Sequence, residues 1–212
     1  IELEKTLMSK HPDKILELHD YGLLDIVLPE LVPAITTMQY HPRHLYTVAE
    51  HTFKAIGHAQ EHVALRLALL FHDLGKPAVM TVDGNGVNHF RGHERVSHTM
   101  AREAMRRLKY DNRTIDLVLK LVLLHDRRIP ATAHSLRKLV HVVGEDDFDL
   151  FLDMQLCDLA AQNPVFATED MAHIHKLRAM FHHFREEKHP FGLKDLVVNG
   201  RDLIQIGIDQ GV

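Results

Sequence analysis

The sequence predicts an all-α fold, a helical bundle with one small β-hairpin near residues 79–90. Three observations lead there. Residues 65–71 and 115–124 are apolar almost all round, as helices buried in a core are. Helix-starting and helix-stopping residues recur along the chain. A single stretch switches to strand-like residues, and it contains Asp83-Gly84-Asn85-Gly86, a run of turn signals.

Residues 2–9 and 12–21 read as two short amphipathic helices, with Gly22 suited to cap the second. Leu23 to Leu28 lead into turns at Pro29 and Pro33, and residues 36–46 form a polar connection. Thr47 with Glu50 makes a capping box that opens a helix over 48–60. This helix carries His51, with Ala55 and His58 on the same side. The central helix, 62–73, ends in His72-Asp73, followed by Gly75 and Lys76. The hairpin follows. Gly92 and His93 close it and open a helix over 94–110. The basic face of that helix (Arg102, Arg106, Arg107, Lys109) is read as solvated, with RNA contact as its alternative use. Asn112 is expected to cap a fourth helix, which ends in a second His-Asp pair, His125-Asp126, before Arg127 and Arg128. Helices over 135–143 and 146–161 come next, the latter holding Asp158 among leucines. Pro164 is expected to break the second of these helices, and Thr168 to cap a long helix reaching Lys188. Residues 191–212 are apolar but interrupted by four glycines.

The 212 residues suit one large domain with an appendage. No apolar run is long enough to span a bilayer, and no signal peptide opens the chain, so we expect a cytoplasmic protein without membrane partners. The one cysteine, Cys157, excludes an internal disulfide and is read as core, with no disulfide-linked partner expected. A net charge of -4 implies that any nucleic-acid contact is a local patch. The start at Ile1 leads us to expect a piece of a longer protein.

The chemistry resides in the His-Asp pairs. Charge at the end of a greasy helix is costly to bury without a partner, and a metal ion suits imidazole and carboxylate together. His51, His93 and Asp158 are further candidates, each at the inner or terminal part of a helix that otherwise reads as core. Spacing alone does not bring them together.

The order His51, His72-Asp73, Asp158 resembles the HD superfamily of metal-dependent phosphohydrolases, and adding His93 and His125 resembles those members that hold two metals. HLYTVAEHTF (44–53), LRLALLFHDLGKP (65–77), NHFRGHERVS (88–97), LVLLHD (121–126), GLLDIVLPEL (22–31) and VVNGRDLIQIGI (197–208) look like the HD region of bacterial tRNA nucleotidyltransferase/poly(A) polymerase family proteins. The resemblance implies an HD-domain helical bundle. Its parts are a helical lead-in at 1–35, an HD metal-binding domain at 36–165, and a C-terminal helix and tail at 166–212. It implies a divalent metal cofactor, one or two ions, with Mn, Fe, Ni, Mg and Zn left undistinguished by mixed His/carboxylate ligation. His51, His72, Asp73 and Asp158 match the first metal site. Asp73, His93 and His125 match a second, with Asp73 bridging. Asp73 and Lys76 are the catalytic candidates, Lys76 offsetting phosphate charge. Arg127, Arg128 and, more weakly, Arg91 are the phosphate-binding candidates.

The implied activity is phosphodiesterase or phosphatase action on a nucleotide or RNA 3′-end phosphoester. The alternative is a non-catalytic tRNA-binding module that supports a nucleotidyltransferase head. No Gly-Ser pair followed by Asp-x-Asp occurs, so no nucleotide addition is expected of this chain itself. His41, His44, His89 and His98 are read as local hydrogen-bonders, His173, His175, His182, His183 and His189 as surface or packing residues, and Asp126 as a cap or hydrogen-bonding neighbour.

Overall fold

Apolar faces at helical spacing produce eleven α-helices among the described residues of the structure, a computed structural model that describes residues 2–191 and Ile204. The first part contains α1 (Glu2–Leu7), α2 (Leu24–Val27) and α3 (Val32–Thr36), with 3-10 turns at Pro12–His19 and Pro29–Leu31. Next come α4 (Val48–His58), α5 (Val63–Phe71) and α6 (Lys76–Val79). Strands β1 (Thr81–Val82) and β2 (Asn88–His89) pair antiparallel, Thr81 opposite His89. The chain continues through α7 (His93–Arg107), α8 (Asn112–Leu124), α9 (Ala133–Val143), α10 (Phe148–Ala160) and α11 (Pro164–Glu186).

Helix α5 is the axis of the core. Residues 64–71 are all buried, and α4, α7, α8 and α10 pack around it. Each large apolar side chain buried there, such as Leu67 or Phe71, stabilises by about 2 kcal/mol. The exception inside the helix is Arg66, whose guanidinium makes four hydrogen bonds. It donates to the carbonyls of Leu7, Ser9, Ala59 and Gln60, tying the end of α1 to the end of α4. A buried cation is tolerable only with such partners.

Three local expectations are corrected. Asp111, not Asn112, caps α8, its carboxylate accepting from the Thr114 amide at 3.0 Å. Helix α10 ends at Ala160, before Pro164 as expected, and Pro164 itself opens α11. Proline fits the first helical turn, where its missing N–H has no partner to lose. Asn163 is the cap, and Thr168 lies inside the helix with its hydroxyl on the Pro164 carbonyl. The short α6 was not among the expected elements; Pro77 sits in its first turn, where proline fits. The hairpin is present but its strands are two residues each, held by Asp83, whose carboxylate accepts from the amides of Asn85 and Val87. The tail phrase at 197–208 lies outside the described residues, Ile204 apart.

Candidate metal centre

Five elements converge on one point because each has a local reason to end or turn there. The Thr47–Glu50 capping box sets the start of α4 and so the phase of His51. Helix α5 stops at His72, putting Asp73 in the turn that follows. Gly92, at φ +81°, turns the chain so that α7 begins at His93. Helix α8 ends at His125, and α10 brings Asp158 inward. Gly75 lets α7 approach this turn. A Cβ there would sit 2.5 Å from the His93 carbonyl oxygen and 2.7 Å from the Ser97 amide nitrogen.

The six side chains are all buried and form two groups whose ligand atoms lie within 4.8 Å of one another, namely His51, His72, Asp158 and Asp73, His93, His125. Asp73 joins them. Its Oδ2 lies 3.2 Å from His72 Nε2 and 3.6 Å from His51 Nε2, while its Oδ1 lies 3.2 Å from His93 Nε2 and 3.8 Å from His125 Nε2. Asp158 Oδ1 is 2.8 Å from His51 Nε2 and 3.5 Å from His72 Nε2.

The histidine rings share one orientation. Nδ1 of His72, His93 and His125 faces the carbonyl three residues earlier, at 2.6, 2.8 and 2.8 Å. His51 Nδ1 faces the Ala161 carbonyl at 3.4 Å. A carbonyl only accepts, so each Nδ1 carries the hydrogen and each Nε2 points inward as the free donor atom, the arrangement metal-ligating histidines use. His93 and His125 Nε2 face each other at 3.2 Å, a contact between two lone pairs unless a cation stands between them. His72 Nε2 and Asp73 Oδ1 make no hydrogen bond despite their burial, and Asp73 Oδ2 faces the Lys76 ammonium at 2.6 Å. These groups fit divalent metal.

Electrostatics agree. Burial pulls the His72 pKa down, but the nearby Asp73 and Asp158 carboxylates outweigh it and raise it to about 10. Burial likewise opposes ionisation of Asp73, yet His72 and Lys76 hold its carboxyl well below the ordinary range. Asp158 is held low against burial by His51 and His72. His125, buried and repelled by His72, is pushed down to about 3. Without an ion, protons on some histidines supply the positive charge that the two carboxylates require.

The cavity outside this cluster measures about 510 Å³, and Asp73, Lys76, Arg91, His93, His125, Arg128 and Asp158 all line it. Lys76 is buried, with Nζ 2.6 Å from Asp73 Oδ2 and 2.7 Å from Gln39 Oε1. Arg127 is not brought to this cavity; its side chain lines another. Asp126 does line it, its carboxyl pushed upward by burial.

Sequence reasoning missed the polar supports. Gln39 holds Lys76, Gln162 donates to Asp158 Oδ2, and Gln155 donates to the carbonyls of His125 and Arg127. A glutamine inside the apolar run of α10 was a signal for Gln155; nothing in the polar connection marked Gln39. His44, given no metal role, lines the cavity with its ring centre 5.3 Å from that of His51. Cys157 is buried, as expected, and its thiol is pushed up to about 12 by burial.

Fold and site together define a buried His/Asp centre at the heart of a helical bundle. Residues 38–161 match the family described as "HD domain", and the chain belongs to that family. Residues 1–35 match the family described as "Probable RNA and SrmB- binding site of polymerase A". Among characterised relatives, the chain is 33% identical over 144 residues to the CC-adding tRNA nucleotidyltransferase of Thermus thermophilus, covering 65% of this chain and 33% of that protein. It is 34% identical over 157 residues to the A-adding tRNA nucleotidyltransferase of Deinococcus radiodurans, covering 71% and 36%. It is 27% identical over 179 residues to a bifunctional uridylyltransferase/uridylyl-removing enzyme of Caulobacter vibrioides, covering 69% and 18%. The chain thus spans about a third of the length of the two tRNA nucleotidyltransferases. No helix among the described residues is long and apolar enough to cross a membrane.

Proposed function

We propose that the centre is a metal-dependent phosphohydrolase site acting on phosphoesters of nucleotides or RNA ends. The observation that carries this reading is the division of Asp73, one oxygen toward each histidine group. His51, His72 and Asp158 would hold one divalent ion, His93 and His125 a second, and Asp73 both. Such ions, when bound, acidify water and polarise a phosphate oxygen.

The chain's own residues do the rest. The Nδ1–H bonds to backbone carbonyls lock each imidazole, so the donor atoms need no reorganisation. Lys76 lies against Asp73 and reduces the negative potential that would repel a phosphate. Arg128 and Arg91, on the cavity wall, offer guanidinium forks that match phosphate oxygens. For a 2′,3′-cyclic phosphate the net change is addition of water, with one P–O bond formed and one broken. RNA as the partner is supported by the match of residues 1–35 and by the tRNA enzymes among the relatives.

The test is hydrolysis by metal-loaded protein across 2′,3′-cyclic nucleotides, nucleoside monophosphates and aryl phosphates. Activity is expected on at least one class, falling by about 100-fold or more in Asp73→Asn. No hydrolysis anywhere, with wild type and Asp73→Asn alike, defeats the reading.

A further inference from the structure

A second cavity, about 1080 Å³, is bounded by the loop after α8, by α9 and by the end of the described chain. Arg127, Arg137 and Lys138 line it, as do His134 and His141, and among the described residues no acidic one does. The first cavity, in contrast, is lined by five carboxylates. In a chain of net charge -4, a wall whose described residues include three permanent cations and no acid is a local reversal of sign. The cavity also offers apolar surface: Ile129 lines it, and Val142 is 50% exposed.

The cations are available. Lys138, His134 and His141 are exposed and make no hydrogen bond or ion pair among the described residues. Arg137 is anchored rather than neutralised, its Nε donating to the Pro190 carbonyl and its guanidinium 5.1 Å from the Phe184 ring centre. Cations set beside apolar surface suit a single nucleic-acid strand, which presents phosphates to the one and base faces to the other. An acidic peptide would leave the apolar surface unused.

The two cavities are neighbours on the loop after α8. Arg128 lines the first and Arg127 the second. Consecutive Cα atoms are about 3.8 Å apart, so on this loop the divide is one residue wide. Gln155 pins the divide by donating to the carbonyls of both His125 and Arg127. A strand whose terminal phosphate lies at the metal centre can therefore continue over these arginines into the second cavity.

We infer that the second cavity binds the nucleotides next to the reacting phosphate, so that the centre acts on the end of an RNA strand several nucleotides long rather than on a free mononucleotide. This rests on the phosphohydrolase reading above. The test uses the whole chain and the double variant Lys138→Glu/His141→Glu, both exposed positions on α9, with Lys138→Gln as a milder second variant. Binding of a fluorescent hexaribonucleotide is measured by anisotropy, and hydrolysis is compared between a 2′,3′-cyclic mononucleotide and a hexanucleotide with the same end. Wild type is expected to bind the hexanucleotide and to hydrolyse it at least ~10-fold more efficiently than the mononucleotide, a factor that about two phosphate contacts supply at low salt. The double variant loses this advantage and weakens binding about 10-fold or more, Lys138→Gln does so partially, and mononucleotide hydrolysis stays within twofold. Equal efficiency on both substrates, or a double variant that binds the strand like wild type, overturns the inference. Should no substrate be hydrolysed, the phosphohydrolase reading fails and with it the action on an RNA end, while the binding comparison still decides whether the second cavity holds the strand.

Discussion

Substituting Gly75 by alanine isolates the contact on which the centre's geometry depends. Gly75 has an ordinary right-handed backbone, so the substitution carries no conformational strain; the whole effect is steric. The added Cβ would meet the His93 carbonyl oxygen at 2.5 Å, the Ser97 amide nitrogen at 2.7 Å and the Val96 Cβ at 2.8 Å. Two of these are backbone atoms and cannot rotate away. Ordinary contact needs about 3.5 Å, so the start of α7 has to retreat by roughly 1 Å. Overpacking of this kind costs about 1–3 kcal/mol, which in a chain of this size lowers Tm by roughly 2–12 °C. The retreat also carries His93 away from Asp73 Oδ1 and His125, so the second ion should be lost before the first. Thermal melts and metal analysis after dialysis measure both effects. Gly57→Ala is the control. That residue lies in α4 with nothing within 4 Å of an added Cβ, so alanine there should stabilise by about 0.5–1 kcal/mol. A Gly75→Ala protein that melts with wild type and retains the same metal content would refute the reasoning.

Two further outcomes follow from the same geometry. In the metal-free protein His72 has a raised pKa, so it is charged at neutral pH and its contribution to stability is full below about pH 6.5 and fades as pH rises toward about 10. Metal requires the neutral ring, so binding should expel protons and tighten with rising pH; equal calorimetric heats in buffers of different ionisation enthalpy would contradict this. Arg66→Met should destabilise by roughly 3 kcal/mol, because the buried carbonyls of Leu7 and Ala59 lose their donor. Urea melts check the loss, and metal content should be unchanged, since Arg66 does not line the metal cavity.

The sequence by itself determined most of the helices and the His-Asp pairs at the ends of two buried helices, through local facts: apolar periodicity, a capping box, and charge placed where burial would otherwise be unfavourable. The grouping of His51, His93 and Asp158 with those pairs came from the family resemblance, since spacing alone does not bring them together. The sequence misplaced the start of α8 because Asp111 and Asn112 have nearly equal claims as caps, and the start of α11 because Pro164 opens the helix capped by Asn163 five residues before Thr168. The tertiary structure alone decided three things. It split the oxygens of Asp73 between the two histidine groups, because the turn after α5 faces the ends of both α7 and α8. It set Gln39 against Lys76 across a separation of 37 residues. It sent Arg127 and Arg128 to different cavities, because side chains that are adjacent in a turn diverge around it and the sequence carries no record of which wall each will meet.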